Sequence, residues 1–460
     1  MGRSGMSMPA APAGSLGTGS CTALYTKLKP RPNGPGHERV AHHQRVRLHG
    51  ATLAAVAARG YQGITVSELA ALAGISRRTF YERYRDREAC FLASYDAIVN
   101  GAARRAREAW NGERSAADPA REARDSERGA ADDGLARACA ALAAQIASEP
   151  QAARLAVLEI LAAGAAGQER AERTRAALTR ALARGLAAGP GRAAPPPDVV
   201  RGIAGGMWLV VRRRLLEGRE RELPEQMPEL LRWARACAGP AATELPAAAP
   251  TLASIAGARG AEARAGERDA HRRALRATAE LAAREGLARV STGRIAHETG
   301  LPETLLTERW GSAQECFLAA LELLTAEALA VAMRDAQGAT SWPEGVRRAC
   351  ATLLRHVAHD GVFARAAFVE VLAAGPAGVE RGEALLRGLA ELLLRQAPPA
   401  QRPSPVVAEA ATGAIWEIVR HHVAHRTTRQ LPGAAGCAAY MVLAPVIGAE
   451  EAVRGVRAGS

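Results

Sequence analysis

The stretch TVSELAALAGISRRTFYERY, residues 65–84, decides the fold of the domain around it. Its first half predicts a short helix, because apolar residues recur there at the three-and-four spacing of one helix face. Those residues are Val66, Leu69, Ala70 and Ala73. Thr65 and Glu68 stand three positions apart at the start of this stripe, which is the pattern of a capping box at a helix start.

The second half of the stretch predicts another helix after a sharp bend. Gly74 allows the left-handed backbone that ends a helix abruptly, and Ser76 can cap a new helix two residues later. Polar or cationic side chains occupy one face of the new helix, at Arg77, Arg78, Thr79, Tyr81 and Arg83. Phe80 and Tyr84 keep the apolar spacing on the other face. This arrangement predicts a helix-turn-helix, a motif whose second helix enters the major groove of DNA.

These residues resemble the TetR family of transcriptional regulators. The resemblance spans roughly fifty residues, from a helix that ends at Gly60 to a helix that opens at Arg87. The positions that match the family pattern are Thr65, Val66, Leu69, Ala70, Gly74, Ile75, Ser76, Thr79, Phe80, Tyr81, Tyr84, Arg87 and Glu88. Arg87 replaces a Lys that is commoner in the family and keeps its charge. The resemblance implies an all-helical DNA-binding domain joined to a helical domain that dimerises and often holds a small ligand.

Length and composition favour a helical protein with an anionic partner. The 460 residues are rich in Ala and Leu and only 4% aromatic, which favours helix over sheet, and the length predicts more than one domain. The formal net charge is +13, and residues 1–100 carry thirteen Lys or Arg against six Asp or Glu. About half of the basic excess therefore lies beside the helix-turn-helix, where it suits nucleic acid.

Several other function classes lack their sequence signatures. The seven Cys residues form no CxxC pair or metal-ligand spacing, so no disulfide framework, metal or cofactor is expected. The chain has no glycine-rich phosphate loop, GxSxG or HExxH motif, and we do not expect an enzyme. It has no run of eighteen apolar residues and no signal-peptide pattern, which predicts a cytoplasmic protein without a membrane partner.

The chain repeats itself after residue 266. Gly60, Ala70 and Gly74 recur 226 residues later as Gly286, Ala296 and Gly300, without a gap. The segment LEILAAGAAGQER from residue 158 recurs as VEVLAAGPAGVER from residue 369, now 211 residues later. Trp208 recurs as Trp416 at an offset of 208. The pattern predicts a duplicated and fused subunit.

The two copies of the motif differ at the positions that would meet DNA. The changes are Arg77 to Glu303, Arg78 to Thr304, Thr79 to Leu305, Tyr81 to Thr307 and Arg87 to Ala313. Residues 76–84 carry a net charge of +2, whereas residues 302–310 carry −1. Because phosphates repel carboxylates, the second motif is expected to keep its fold and to have lost or weakened its hold on DNA.

The sequence thus predicts an all-α chain of two tandem TetR-like units. The predicted boundaries are 1–37 for a disordered arm, 38–95 for the helix-turn-helix domain, 96–238 for a helical regulatory domain, 239–266 for a linker, 267–320 for a degenerate helix-turn-helix domain and 321–460 for a second helical domain. The resemblance implies dimerisation through the last two long helices of each helical domain. Two copies in one chain form an intramolecular pseudo-dimer, or the chain forms a homodimer.

Eight side chains of the first motif are predicted to contact double-stranded DNA, mostly at its backbone. They are Arg77, Arg78, Thr79 and Tyr81 for the groove and phosphates, and Thr65, Ser76, Tyr84 and Arg87 as phosphate anchors. Residues that could line a small-molecule effector pocket, or could serve only in packing or at the surface, are Glu159, Trp208, Arg212, Glu370, Trp416, His421 and His422.

The predicted function is a sequence-specific transcriptional regulator, a ligand-responsive repressor. The alternative is a protein-binding adaptor that uses the duplicated helical domains, with both motifs serving as scaffold. DNA binding that weakens steeply with salt would separate the two.

Overall fold

The structure of the protein is a computed structural model that describes residues 37–112, 122–188, 194–245 and 267–457. All regular structure in these ranges is helical, which confirms the predicted all-α class. The predicted arm falls outside them except for His37, and the predicted linker does so beyond its first few residues, which end in the turn Pro240–Glu244.

The α-helices are numbered in chain order. They are α1 (His37–Arg59), α2 (Val66–Ala73), α3 (Arg77–Tyr81), α4 (Arg87–Asn111), α5 (Glu122–Ser148), α6 (Pro150–Val157), α7 (Gly164–Ala187), α8 (Pro197–Glu217), α9 (Leu223–Cys237), α10 (Glu267–Glu285), α11 (Thr292–Thr299), α12 (Glu303–Trp310), α13 (Ala313–Gln337), α14 (Trp342–His359), α15 (Gly361–Arg365), α16 (Val371–Ala373), α17 (Gly375–Gln396), α18 (Pro405–Ala424), α19 (Ala435–Ile447) and α20 (Ala449–Arg457).

The chain forms two compact units. Within the described residues, the first comprises 37–101 together with 151–171, and the second comprises 102–112, 122–150, 172–188, 194–245 and 267–457. The core of the first unit is closed by large side chains without solvent exposure, among them Leu48, Ile64, Leu69, Phe80 and Phe91. The apolar positions that the sequence assigned to the interior of the first motif therefore lie in this core.

The second unit is built around α8, α9, α18 and α19. Their apolar faces share one core, in which Trp233 and Tyr440 are almost fully buried. The polar atom of each of these aromatic side chains also donates a hydrogen bond to a backbone carbonyl oxygen across this core. Trp233 Nε1 donates to the carbonyl oxygen of Met441 at 3.3 Å, and Tyr440 Oη donates to that of Ala236 at 3.3 Å. Helices from the two ends of the sequence therefore form one packed body.

Glycines bring the backbones of α8 and α18 into contact. A Cβ atom at Gly206 would lie 2.3 Å from the carbonyl oxygen of Ala410, and one at Gly205 would lie 2.1 Å from Cβ of Glu417. Neither distance is compatible with a side chain, because protein interiors are already close-packed. The close approach of the two helices therefore requires glycine at both positions.

A small buried contact occurs twice, at the offset found in the sequence. Thr52 Oγ1 lies 3.4 Å from Cys90 Sγ between α1 and α4. Thr278 Oγ1 lies 3.2 Å from Cys316 Sγ between α10 and α13, 226 residues further on. All four residues are buried, and burial raises the pKa of Cys90 to about 11. The two halves of the chain thus build this part of their cores from the same side chains.

Two helical segments are long and apolar enough to cross a bilayer by length and composition, Ala313–Gln337 and Thr428–Ile447. In each, half or more of the most apolar window is buried within the fold, 50% and 61% respectively. Burial of this kind is typical of core helices, so these segments do not indicate a membrane protein.

Histidines occupy the end of α18 beside the start of α8. Burial lowers the pKa of His421 to about 4, with further lowering by Arg201, His425 and His422 and an opposing effect of Asp198. Burial also lowers the pKa of His422, with Asp198 opposing and Arg201 and His425 adding to the effect. Both imidazoles are therefore neutral in the folded protein near pH 7.

The glycine contact predicts the effect of adding one methyl group. Gly206→Ala should lower the free energy of unfolding by about 1–3 kcal/mol, because α8 must move away from α18 to admit the Cβ atom. Urea unfolding measures this change. Gly388→Ala is the matched control, since a Cβ atom at Gly388 would meet nothing within 4 Å. Equal stability of the Gly206→Ala variant and the wild type would contradict the described packing.

The histidines predict a loss of stability in acid. Their unfolded forms take up protons near pH 6.5, whereas the folded His421 does so only near pH 4. The unfolded state therefore binds more protons in this window, and the free energy of unfolding should fall as the pH drops from about 6.5 to 4. Unfolding midpoints between pH 4 and 7.5 measure the slope, which His421→Gln should reduce. An unchanged slope in this variant would contradict the assignment.

Candidate nucleic-acid interface

The bend between α2 and α3 has the geometry that the sequence predicts. Thr65 Oγ1 accepts a hydrogen bond from the backbone N–H of Glu68 at 3.3 Å, which starts α2. Gly74 ends α2 in the left-handed conformation, with φ of 60° and ψ of 40°. The predicted capping box is only half formed, however, because the Glu68 carboxylate pairs with Arg59 of α1. The stronger partner for a carboxylate is a guanidinium, so Glu68 joins α2 to α1.

The start of α3 is fixed by two hydroxyl groups. Ser76 Oγ accepts a hydrogen bond from the backbone N–H of Thr79 at 3.0 Å and lies 2.9 Å from Thr79 Oγ1. Phe80 is fully buried and packs edge-on against the ring of Tyr81, with centroids 5.6 Å apart. The cap and the buried ring together set the orientation of this five-residue helix.

The outer face of α3 presents cations and a phenol to solvent. Arg77 and Arg78 are exposed, and the side chain of Arg78 is 90% exposed while it pairs with Glu82 at 3.3 Å. Tyr81 is 49% exposed. An exposed surface pair of this kind contributes little stability, so Arg78 can exchange its carboxylate for another anion at small cost. This face can donate hydrogen bonds to phosphates or to base edges.

Tyr84 points into the unit rather than outward. Its hydroxyl lies 2.8 Å from Nε2 of His49 on α1. Burial raises the pKa of Tyr84 to about 12 and lowers the pKa of His49. Both groups are therefore neutral, and the hydrogen bond between them holds the end of the motif against α1.

Arg87 closes the turn between α1 and α2. Its Nη1 donates to the carbonyl oxygen of Ile64 at 2.8 Å and to that of Gln62 at 3.2 Å. The guanidinium also stands over the ring of Tyr61, 5.2 Å from its centroid. Arg87 is thus engaged by the protein's own backbone, and its described contacts hold the segment that precedes α2.

A carboxylate from a distant segment completes the same turn. Glu159 Oε2 accepts the backbone N–H of Tyr61 at 2.9 Å. In the second half, Glu370 Oε2 accepts the backbone N–H of Leu287 at 3.0 Å. Sequence reasoning named both carboxylates as possible lining of an effector pocket, but each binds the turn that precedes a helix-turn-helix. The structure therefore gives them a structural role, and no local spacing could have shown it.

Comparison with known proteins agrees with this geometry. Residues 50–94 match the family model described as bacterial regulatory proteins, tetR family. This match covers α2, α3 and the adjoining parts of α1 and α4. This segment of the chain is therefore similar to the tetR family of bacterial regulatory proteins.

Parts of this chain are similar to two solved structures of regulators. The fatty acid degradation regulator FadR from Bacillus halodurans is 13% identical, with a TM-score of 0.35 over 39% of this chain and 97% of that one. A TetR family transcription regulator from Marinobacter aquaeolei VT8 is 20% identical, with a TM-score of 0.34 over 44% of this chain and 98% of that one. Comparison with curated proteins gives no match. No comparison points to an enzyme family.

The helices α11 and α12 have the frame of the first motif with a different surface chemistry. Ser291 caps α11 through the backbone N–H of Arg294 at 3.3 Å, and Gly300 ends it with φ of 70°. No side chain caps α12, which follows Pro302. Glu303, in the place of Arg77, accepts a hydrogen bond from Thr292 Oγ1 at 2.6 Å. A carboxylate thus occupies the face where the first motif presents a guanidinium.

Arg47 and His49 are site residues that the TetR-family pattern does not single out. Arg47 is only 7% exposed and borders a hollow of about 250 Å³ between α1 and the start of α3, which Ile75 and Thr79 also line. Arg47 lies in the basic N-terminal part of the chain, and the structure buries it behind α3. Arg47 lies four residues after His43 and three after Gln44, and this helical spacing indicates that the three side chains share one face, on which they line the hollow.

The Tyr84–His49 contact predicts that removing the Tyr84 hydroxyl changes the free energy of unfolding but not the salt dependence of DNA binding. Tyr84→Phe should lower the free energy of unfolding by about 1 kcal/mol, because it removes one partly buried hydrogen bond. The slope of log affinity against log salt for duplex DNA should stay unchanged, since no phosphate contact is lost. Urea unfolding and salt titrations measure the two quantities. A smaller slope with unchanged stability would show that the hydroxyl contacts a phosphate instead.

Proposed function

We propose that the protein is a sequence-specific DNA-binding transcriptional regulator that reads DNA through α3. The observation that carries this proposal is the solvent-exposed set of Arg77, Arg78 and Tyr81 on a helix whose start and orientation are fixed. In a helix-turn-helix, the second helix meets the groove with its N-terminal residues. Guanidinium groups there can bind guanine edges in a bidentate manner or pair with phosphates.

The eight candidate residues divide into three roles in this proposal. Arg77, Arg78 and Tyr81 contact the groove and its phosphates, because they are the exposed residues within α3 itself. Hydroxyl groups at the caps lie at the rim and donate to backbone phosphates, at Thr65, Ser76 and Thr79. Tyr84 and Arg87 act by holding the motif in place through His49 and the carbonyl groups before α2.

We also propose that the chain is a duplicated subunit with a single DNA-binding motif. The offsets of 226, 211 and 208 residues in the sequence support duplication. The recurring Thr–Cys contact and the recurring carboxylate under the turn support it further. Glu303 in the place of Arg77 supports the loss of DNA binding by the second motif, because a phosphate repels a carboxylate.

Control by a small molecule, repression and a cytoplasmic location complete the proposal. The support for all three is the similarity of residues 50–94 to the tetR family of bacterial regulatory proteins. Occupancy of DNA by α3 is sufficient for repression, and the helical domain is the part in which an effector would act.

A charge-altering double substitution tests the proposed DNA contact. Arg77→Glu with Arg78→Thr gives the first motif the residues of the second, and should weaken binding to duplex DNA by on the order of 100-fold or more. Arg289→Glu with Arg309→Thr is the control, because it makes the same charge change at two exposed arginines near the second motif. Fluorescence anisotropy at several salt concentrations measures both variants.

Two results would count against the proposal. Undiminished binding by the Arg77/Arg78 variant would show that α3 is not the DNA-binding element. Equal losses in both variants would show that net charge, rather than this helix, governs affinity. Circular dichroism of the variants confirms folding, since the substituted side chains are exposed and their loss should leave stability within about 0.5 kcal/mol.

A further inference from the structure

Two ion pairs in the second unit each join a residue of the first half of the chain to a residue of the second half. Arg212 Nη1 on α8 lies 3.2 Å from Glu383 Oε1 on α17. Arg420 Nη1 on α18 lies 2.8 Å from Glu172 Oε1 on α7. The sequence offsets make Arg420 the counterpart of Arg212, and Glu383 the counterpart of Glu172. Contacts in which residue i meets j and the counterpart of i meets the counterpart of j are the mark of a two-fold interface.

A neighbouring contact between α8 and α18 differs in charge from the contact that the two-fold relation would place opposite it. Arg213 Nη1 lies 3.2 Å from Glu409 Oε1, and Arg214 Nη1 lies 3.1 Å from Glu409 Oε2. The two arginines are each 3% exposed, and the side chain of Glu409 is 16% exposed. Glu409 on α18 therefore pairs with both buried guanidinium groups on α8. Arg213 also lies 3.7 Å from Glu383, and Arg214 lies 3.9 Å from Glu217 and 3.7 Å from Glu222.

The counterparts of these residues carry different charges. Arg201 on α8 is the counterpart of Glu409, whereas His421 and His422 on α18 are the counterparts of Arg213 and Arg214. Arg201 acts electrostatically on both imidazoles, so the two-fold-related contact joins one cation to two neutral groups. Arginines at 421 and 422 would instead place three cations together. His421 and His422 thus avoid a repulsion with Arg201 when the first half of the chain pairs with the second.

Pairing of identical halves would lack this match. Two α8 helices would put Arg201, which pairs with Asp198 of its own helix, in the place that Glu409 now takes against Arg213 and Arg214. Two α18 helices would bring Glu409 against His421 and His422, which carry little charge near pH 7. Unpaired buried charges are strongly unfavourable, and like charges across an interface exclude wrong partners.

We infer that the α8 face has one specific partner, the α18 face of the same chain, and that its charges exclude a second copy of itself. The protein therefore acts as a single chain whose two helical domains form the pair that other members of this fold class would need two chains to form. Because this inference concerns the pairing of helical domains, it is independent of whether α3 binds DNA. Together with the proposed single DNA-binding motif, it predicts one DNA half-site per chain.

The first test measures mass before and after cleavage. The full chain with a specific protease site inserted between residues 246 and 266 should run as a single 48.1 kDa chain in light scattering. After cleavage, the two fragments should stay together in a one-to-one pair. A dimer of chains before cleavage, or sorting of the fragments into pairs of like halves, would overturn the inference.

The second test reverses the charges at the asymmetric contact in the same cleavable chain. Glu409→Arg gives α18 the residue of the first half, and should lower Tm by at least about 5 °C and let the cleaved fragments separate. Adding Arg213→Glu and Arg214→Glu should restore both Tm and association, which a purely steric effect would not allow. Glu451→Arg, at an exposed site on α20, is the control and should change neither.

The outcomes separate this inference from the proposed function. Charge-specified pairing would be overturned if Glu409→Arg left both Tm and the association of the cleaved fragments as in the wild type. It would also be overturned if the added substitutions did not restore them. Loss of duplex binding in the Arg77/Arg78 variant would support the proposed DNA-binding motif even if the pairing inference failed.

Discussion

The fold depends on the direct contact between the backbones of α8 and α18. Gly205 and Gly206 allow this contact, because a Cβ atom at either position would clash with α18. Every charge at its edge must then find a partner, because an unpaired ion in such a place is strongly unfavourable. Close packing and charge matching are therefore two consequences of the same approach of helices.

The two helix-turn-helix segments share the contacts that hold their helices in place and differ at their exposed faces. Both keep their turn carboxylate, their buried Thr–Cys contact and their left-handed glycine, because these features hold the helices in place. The exposed face of the recognition helix contributes little to stability, so its residues are free to change. Arg77 and Glu303 occupy equivalent places on the two frames with opposite charge. The charge of this surface can therefore differ without a change in the surrounding helical frame.

Local periodicity was sufficient to predict the helices, the bend at Gly74 and the exposure of Arg77 and Arg78, because caps and apolar stripes are short-range features. Long-range contacts could not be predicted in this way. The bond from Tyr61 to Glu159 spans 98 residues, and nothing in the spacing of either segment indicates it. The diversion of Glu68 from its capping box to Arg59 depends on how α1 lies against α2, which the pattern of a single helix does not contain.

Selection of duplexes from a random pool by the full-length chain tests the central claim most directly, namely that one motif reads DNA and its counterpart does not. The account predicts enrichment of a single unpaired half-site. A two-fold operator would instead present two equal half-sites about 34 Å apart, one turn of the double helix. Recovery of such a palindrome as the bound form of one chain would contradict the asymmetry between the two motifs.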